Sequence, residues 1–169
     1  AEHPFGQNVS AYSKPGMLLH TLRHMIGDEK FDAFYKDYAA TWAFKHPVPW
    51  DFFAMFSEAA ETDMDWFWQP WFYGTATLDQ AVNSVVPGSG SAEISVSNLS
   101  SGVMPVELWL EYADGSGEIV VWPASVWAGT REVTQSVPTS GELTRVTIDP
   151  DGYYPDLDRS NNEWEAVEG

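Results

Sequence analysis

His20 and His24 stand four residues apart, and two histidines at that spacing share one helix face and can both reach a zinc ion. The hydrolytic version of this spacing is H-E-x-x-H, whose glutamate is the general base. Here the string is His20-Thr21-Leu22-Arg23-His24, with Thr21 where the base belongs and no third ligand in view. The pair therefore reads as two solvent-facing histidines on a helix. A second group, Tyr12-Ser13-Lys14-Pro15-Gly16, sits at the start of the same helix. A phenol at a helix N-terminus can donate to an oxyanion, because the local dipole favours negative charge. Spacing alone gives Tyr12 no partner base and leaves it as a packing residue.

Two further groups have oxygen or aromatic chemistry. Asp156, Asp158 and Asn161 could offer oxygens to calcium, but the EF-hand order needs a central glycine and a late glutamate that this stretch lacks. A loop whose Asp and Asn side chains bond their own backbone fits better, with Arg159 paired to a carboxylate and locking the chain end. Trp66, Trp68 and Trp71, with Trp109, Trp122 and Trp127 further on, could stack on sugar rings. The helical spacing of Phe67, Trp68 and Trp71 points instead to core packing. No Ser/His/Asp or phosphate-loop pattern has the required spacing.

The elements that must position these residues change character once along the chain. Sixteen aromatics crowd between Phe31 and Tyr73, and short β-branched runs broken by Gly, Pro, Ser and Asn follow. The boundary is expected near 74–78, with one domain over 1–75 and a second over 76–169. In the first, Ser10 or Ser13 caps a helix to Ile26, where Gly27 ends it. Asp28 caps a second, with Phe31, Phe34, Tyr35, Tyr38 and Trp42 on one face. After His46-Pro47-Val48-Pro49, a third runs from Trp50 to Ala60, and Asp63 caps a fourth. In the second domain, strands are expected over 79–86, 92–98, 105–113, 118–122, 131–137 and 143–149, from period-two runs such as Val106/Leu108/Leu110. Ala113-Asp114-Gly115-Ser116-Gly117 reads as a hairpin turn. The expected fold class is α+β, about four helices followed by a small β-sandwich.

Tyr12-Ser13-Lys14-Pro15-Gly16-Met17-Leu18-Leu19, then Leu22-Arg23, then Ile26-Gly27-Asp28-Glu29 and Phe31 resemble a known pattern. It is that of the zinc aminopeptidases typified by aminopeptidase N and leukotriene hydrolase, Y-x-K-G/P-x-x-x-L-x-x-L-R followed by a Gly-Asp-Glu-x-Phe helix start. Trp42-Ala43-Phe44-Lys45-His46-Pro47, Asp65-Trp66-Phe67-Trp68-Gln69-Pro70-Trp71-Phe72-Tyr73 and Gly152-Tyr153-Tyr154-Pro155-Asp156-Leu157-Asp158-Arg159-Ser160-Asn161-Asn162-Glu163-Trp164 resemble its bacterial branch. The resemblance is weaker over 84–148. It implies the end of a thermolysin-like catalytic domain plus the β-sandwich that follows. It also implies a zinc-activated water attacking a peptide carbonyl, with Tyr12 as the tyrosine that hydrogen-bonds the tetrahedral oxyanion. The zinc ligands of H-E-x-x-H and the amine-holding G-x-M-E-N loop are not in this chain. The expectation is thus a fragment, inactive alone, with zinc and a peptide substrate belonging to the parent enzyme and no metal site in the chain itself. The helices would pack on the missing half of the catalytic domain and, without it, self-associate through exposed aromatics.

Composition sets the outer bounds. Eight Lys and Arg against twenty-five Asp and Glu give a net charge of -17, which argues against nucleic acid and anionic lipid as partners. The absence of cysteine excludes disulfides, thiolate catalysis and Cys-type zinc sites. No run of about 18 apolar residues offers a transmembrane helix, and Ala1 to Gln7 lack the charge and apolar core of a signal peptide. The acidity without cysteine fits a secreted or periplasmic bacterial protein, or a salt-adapted one. Two alternatives stay open: a carbohydrate- or protein-binding β-sandwich with a helical docking platform, and a β-sandwich spacer.

Overall fold

Leu18 and Leu22, one helical turn apart and fully buried, fix the inner face of a first helix, α1 (Lys14–Ile26). The structure, a computed structural model, describes residues 12–167. The chain divides into two compact units, Ala1–Thr75 and Ala76–Gly169. In the first, α1 stops at Gly27, whose φ of 84° is open to glycine and strained for other residues. The second helix, α2 (Asp28–Trp42), begins at the next residue. Pro49 then occupies the first turn of α3 (Pro49–Ala60), where its missing N–H is harmless, and Asp51 Oδ2 accepts the Val48 N–H at 2.8 Å. Asp63 Oδ1 accepts the Asp65 N–H at 2.8 Å and starts α4 (Asp65–Trp68). This helix runs on as a wider π-helical turn, Gln69–Tyr73. Pro70 has no N–H for the α-helical ladder, which fits the change of pitch there.

Aromatic rings form the core of this unit. Phe53 stacks on Trp68 with centroids 4.4 Å apart, and Phe56 meets Phe34 at 5.2 Å and Trp68 at 5.5 Å, both edge-on. Phe56 and Phe67 are fully buried, and Trp71 nearly so. Three details depart from the sequence reading. Ser13 has helical dihedrals and makes no side-chain cap, while Ser10 lies outside the described residues. Asp28 does not cap α2, because Arg23 holds its carboxylate at 2.7 Å. Tyr35 is half exposed and Trp42 only half buried, so the inner stripe of α2 narrows to Phe31 and Phe34 with Tyr38 at its margin.

The second unit is a sandwich of two antiparallel sheets. β1 (Gln80–Pro87), β2 (Ser91–Asn98) and β5 (Glu132–Pro138) form one sheet in the order β1-β2-β5. β3 (Val106–Tyr112), β4 (Gly117–Trp122), β6 (Leu143–Ile148) and β7 (Glu163–Glu165) form the other, in the order β4-β3-β6-β7. Ala92, Ile94 and Val96 share one core with Val106, Leu108, Leu110, Val146 and Ile148. The alternation that marks strands in the sequence is thus the alternation that fills the space between sheets. The turn after β3 is closed by Tyr112 N–H to Ser116 O at 2.9 Å, with Gly115 at φ 82°.

Candidate functional site

Tyr12 and Ser13 lie in a widened helical turn that leads directly into α1. The Tyr12 side chain is 75% exposed, and no hydrogen bond to its hydroxyl is present among the described residues. Two residues on, the half-buried Lys14 turns the other way: its Nζ donates to the Gly74 carbonyl at 2.9 Å, joining positions sixty residues apart. Successive helix residues are turned by about 100°, so Tyr12 and Lys14 point to nearly opposite sides of the helix. Gly74 itself is required by its surroundings. A Cβ there would lie 2.6 Å from the Pro70 carbonyl oxygen, a backbone atom that cannot step aside. The carbonyl that Lys14 grips stands just past the end of the Asp65–Tyr73 helical run, where a cation is favoured by the helix dipole.

The far end of α1 is fixed by charge. Arg23 reaches Asp28 at 2.7 Å and Asp32 at 2.6 Å, and its guanidinium carbon lies 5.5 Å from the Phe31 ring centroid. The hydrogen bond to Asp32, then that to Asp28, holds the Arg23 proton more tightly than usual; the same contact pulls the Asp32 carboxyl below the ordinary range. These groups set the corner between α1 and α2 and are too exposed to serve as a buried acid–base pair.

The remaining sequence candidates resolve as follows. His20 is exposed and His24 half-buried. Among the described residues, no group of three or more His, Cys, Asp or Glu is arranged to hold a metal ion. In the C-terminal loop, Asp156 Oδ1 accepts the Asp158 N–H at 3.0 Å, and Asp158 Oδ1 accepts the Ser160 N–H at 3.0 Å. Asn161 Nδ2 donates to Asp79 Oδ1 at 3.0 Å. The Asp156 and Asp158 oxygens thus bond the local backbone, as the loop reading expects, while the buried Asn161 Oδ1 has no hydrogen-bond partner among the described residues. Arg159 is paired with Asp149 at 2.7 Å, as expected for the lock on the chain end. Trp68, Trp71, Trp122 and Trp127 are buried in the two cores, while Trp66 and Trp109 are half-buried. Sequence reasoning missed the Lys14–Gly74 tie and the buried Asp149.

Residues 4–71 match the family model described as the peptidase family M1 domain, a stretch that contains Tyr12, Lys14, His20 and His24. The fold matches the crystal structure of Legionella pneumophila aminopeptidase A in complex with aspartic acid, with a TM-score of 0.63 at 14% identity. The match covers 88% of this chain and 17% of that one, so the chain spans about a sixth of its structural relative. No curated protein matches the sequence. The chain is therefore similar to a stretch of an M1 aminopeptidase, in its helical segment by sequence and over most of its length by fold.

Proposed function

We propose that this chain is part of a zinc-dependent aminopeptidase that hydrolyses N-terminal peptide bonds, and that its chemical contribution is the Tyr12 hydroxyl. The observation that carries the reading is an exposed phenol, with no hydrogen-bond partner among the described residues, at the head of the helix that opens the Y-x-K pattern inside the M1-matched stretch. As water adds to a peptide carbonyl, the oxygen gains negative charge. A hydroxyl that need not first break another bond can donate to it as that charge develops. Zinc is the metal implied by the resemblance, and the described residues do not fit it: His20 and His24 lack a third ligand. On this reading the zinc ligands and the general base belong to the part of the parent enzyme outside this chain.

Without that part, the helical unit presents Phe44, fully exposed and held at φ 59°, and a Trp50–Tyr73 stack with centroids 5.5 Å apart. A bulky residue at positive φ is strained and wants a reason. Docking of the missing half of the catalytic domain supplies one, and self-association is the expected behaviour in its absence.

The function is tested by incubating the chain with zinc and an aminoacyl-anilide beside the intact enzyme that carries this segment. The intact enzyme should release N-terminal residues and the chain alone should not. Steady turnover by the chain that disappears on His20→Ala would overturn the reading.

A further inference from the structure

We infer that Lys14 is a positioning residue for Tyr12, acting through its hydrogen bond to the Gly74 carbonyl; the inference rests on the oxyanion role proposed for Tyr12. Exposure by itself would let the Tyr12 phenol wander, because 75% of its surface meets no neighbour. An oxyanion donor is effective only when preorganised, and a displacement of about 1 Å can cost roughly 100-fold in rate. Tyr12 must therefore be held through the backbone rather than through its ring.

The helix supplies the lever. The Ser13 dihedrals, φ -68° and ψ -49°, are helical, so the peptide units between Tyr12 and Lys14 are continuous with α1 and turn as one body. Rotation of that body about its axis would swing the phenol sideways. Leu18 and Leu22 resist the rotation from one and two turns further along. At the head of the helix, the described side chain that reaches a distant backbone group is Lys14, through Nζ to Gly74 O at 2.9 Å.

The receiving end is built to stay still. Trp71, three residues before Gly74, is 1% exposed, and Pro70 fixes the backbone that Gly74 abuts. An ammonium on a carbonyl is a charge-assisted bond and stronger than a neutral one. Because Lys14 and Tyr12 face opposite sides, pinning Lys14 toward Gly74 aims the phenol away from the helical core, toward whatever approaches from outside.

The test is a double-mutant cycle in the intact enzyme. Lys14→Met should lower kcat roughly 10- to 100-fold with KM little changed. It should have no further effect in a Tyr12→Phe background, since the lysine acts through the phenol. Lys14→Arg, which keeps a cationic donor, should restore most of the loss. An equal kcat loss from Lys14→Met with and without the phenol would overturn the inference while leaving Tyr12 in place. If Tyr12→Phe itself leaves kcat unchanged, the oxyanion role falls and the positioning role falls with it. In the 169-residue chain, NMR should show a slowly exchanging Lys14 ammonium and a Gly74 carbonyl shift that disappears in Lys14→Met; a freely exchanging ammonium would also overturn it.

Discussion

Replacing Arg159 by methionine keeps most of the stem and deletes the guanidinium. In the native protein, Nη2 lies 2.7 Å from Asp149 Oδ2 and 2.7 Å from the Tyr154 carbonyl, and Nη1 lies 3.2 Å from the Asp149 carbonyl. The Asp149 side chain is 1% exposed, so its carboxylate relies on protein donors in the native fold. Breaking a fully buried ion pair costs about 3–5 kcal/mol. Two features lower that figure. The carboxylate keeps the Tyr153 and Tyr154 N–H groups, at 2.8 and 2.9 Å, and the Arg159 side chain is itself 42% exposed. The expected loss is about 2 kcal/mol, the range of one hydrogen bond to a charged group. For a unit of this size that is a fall in Tm of about 8–16 °C. Calorimetry and urea unfolding of both proteins measure it, and Arg159→Lys, a charge without the fork, should fall between them. A loss below about 0.5 kcal/mol, the ordinary effect of a surface substitution, would refute the view that this pair locks the chain end onto the sandwich.

Gly117→Ala should destabilise the β3–β4 hairpin by about 1–3 kcal/mol, because the new Cβ would lie 2.7 Å from the Leu110 carbonyl oxygen and closer still to the Trp109 ring. Wild-type stability in that variant would mean the ring moves freely. Burial, aided by Glu107 and Asp149, pushes the Tyr154 phenol far above the usual tyrosine range. The group is protonated in the fold and its folded pKa exceeds its unfolded one. Its contribution is therefore complete below about pH 10 and is lost as pH rises toward the folded value. The denaturation midpoint of the β unit should accordingly fall above about pH 10. Ionisation of all seven tyrosines near that pH, followed at 295 nm with the fold intact, would contradict this. Sedimentation should depend on protein concentration and lose that dependence in Phe44→Ser/Trp50→Ser; a single monomer at every concentration would remove self-association from the account.

What was legible in the sequence was whatever repeats at a structural period. Ile94/Val96, Val106/Leu108/Leu110 and Val146/Ile148 alternate in the sequence and fill the sandwich. Leu18 and Leu22, and Phe53 and Phe56, recur at helical spacing and sit in the helical core. Interactions with no local period were not legible. β7 is only Glu163-Trp164-Glu165, two acids around one indole. It exists because it pairs with β6, where Arg145 meets Glu163 at 2.7 Å and also binds Glu165. Asp28 looks like a cap, but a cap and an ion-pair partner are the same carboxylate, and Arg23 is five residues away. At the candidate site, residue type drew attention to Tyr12 and the resemblance gave it a role. The tie between Lys14 and Gly74 spans the helical unit and leaves no trace in spacing.

The most direct measurement is steady-state kinetics of the intact enzyme with Tyr12→Phe, which removes one oxygen and leaves the exposed ring. Tyr12 is exposed and its hydroxyl has no hydrogen bond among the described residues, so Tm should stay within the range of a neutral surface change. Loss of an oxyanion donor should lower kcat by about 100- to 1000-fold while KM holds. A variant with undiminished kcat, or one whose defect lies wholly in KM, would contradict the assignment of Tyr12 to the developing oxyanion.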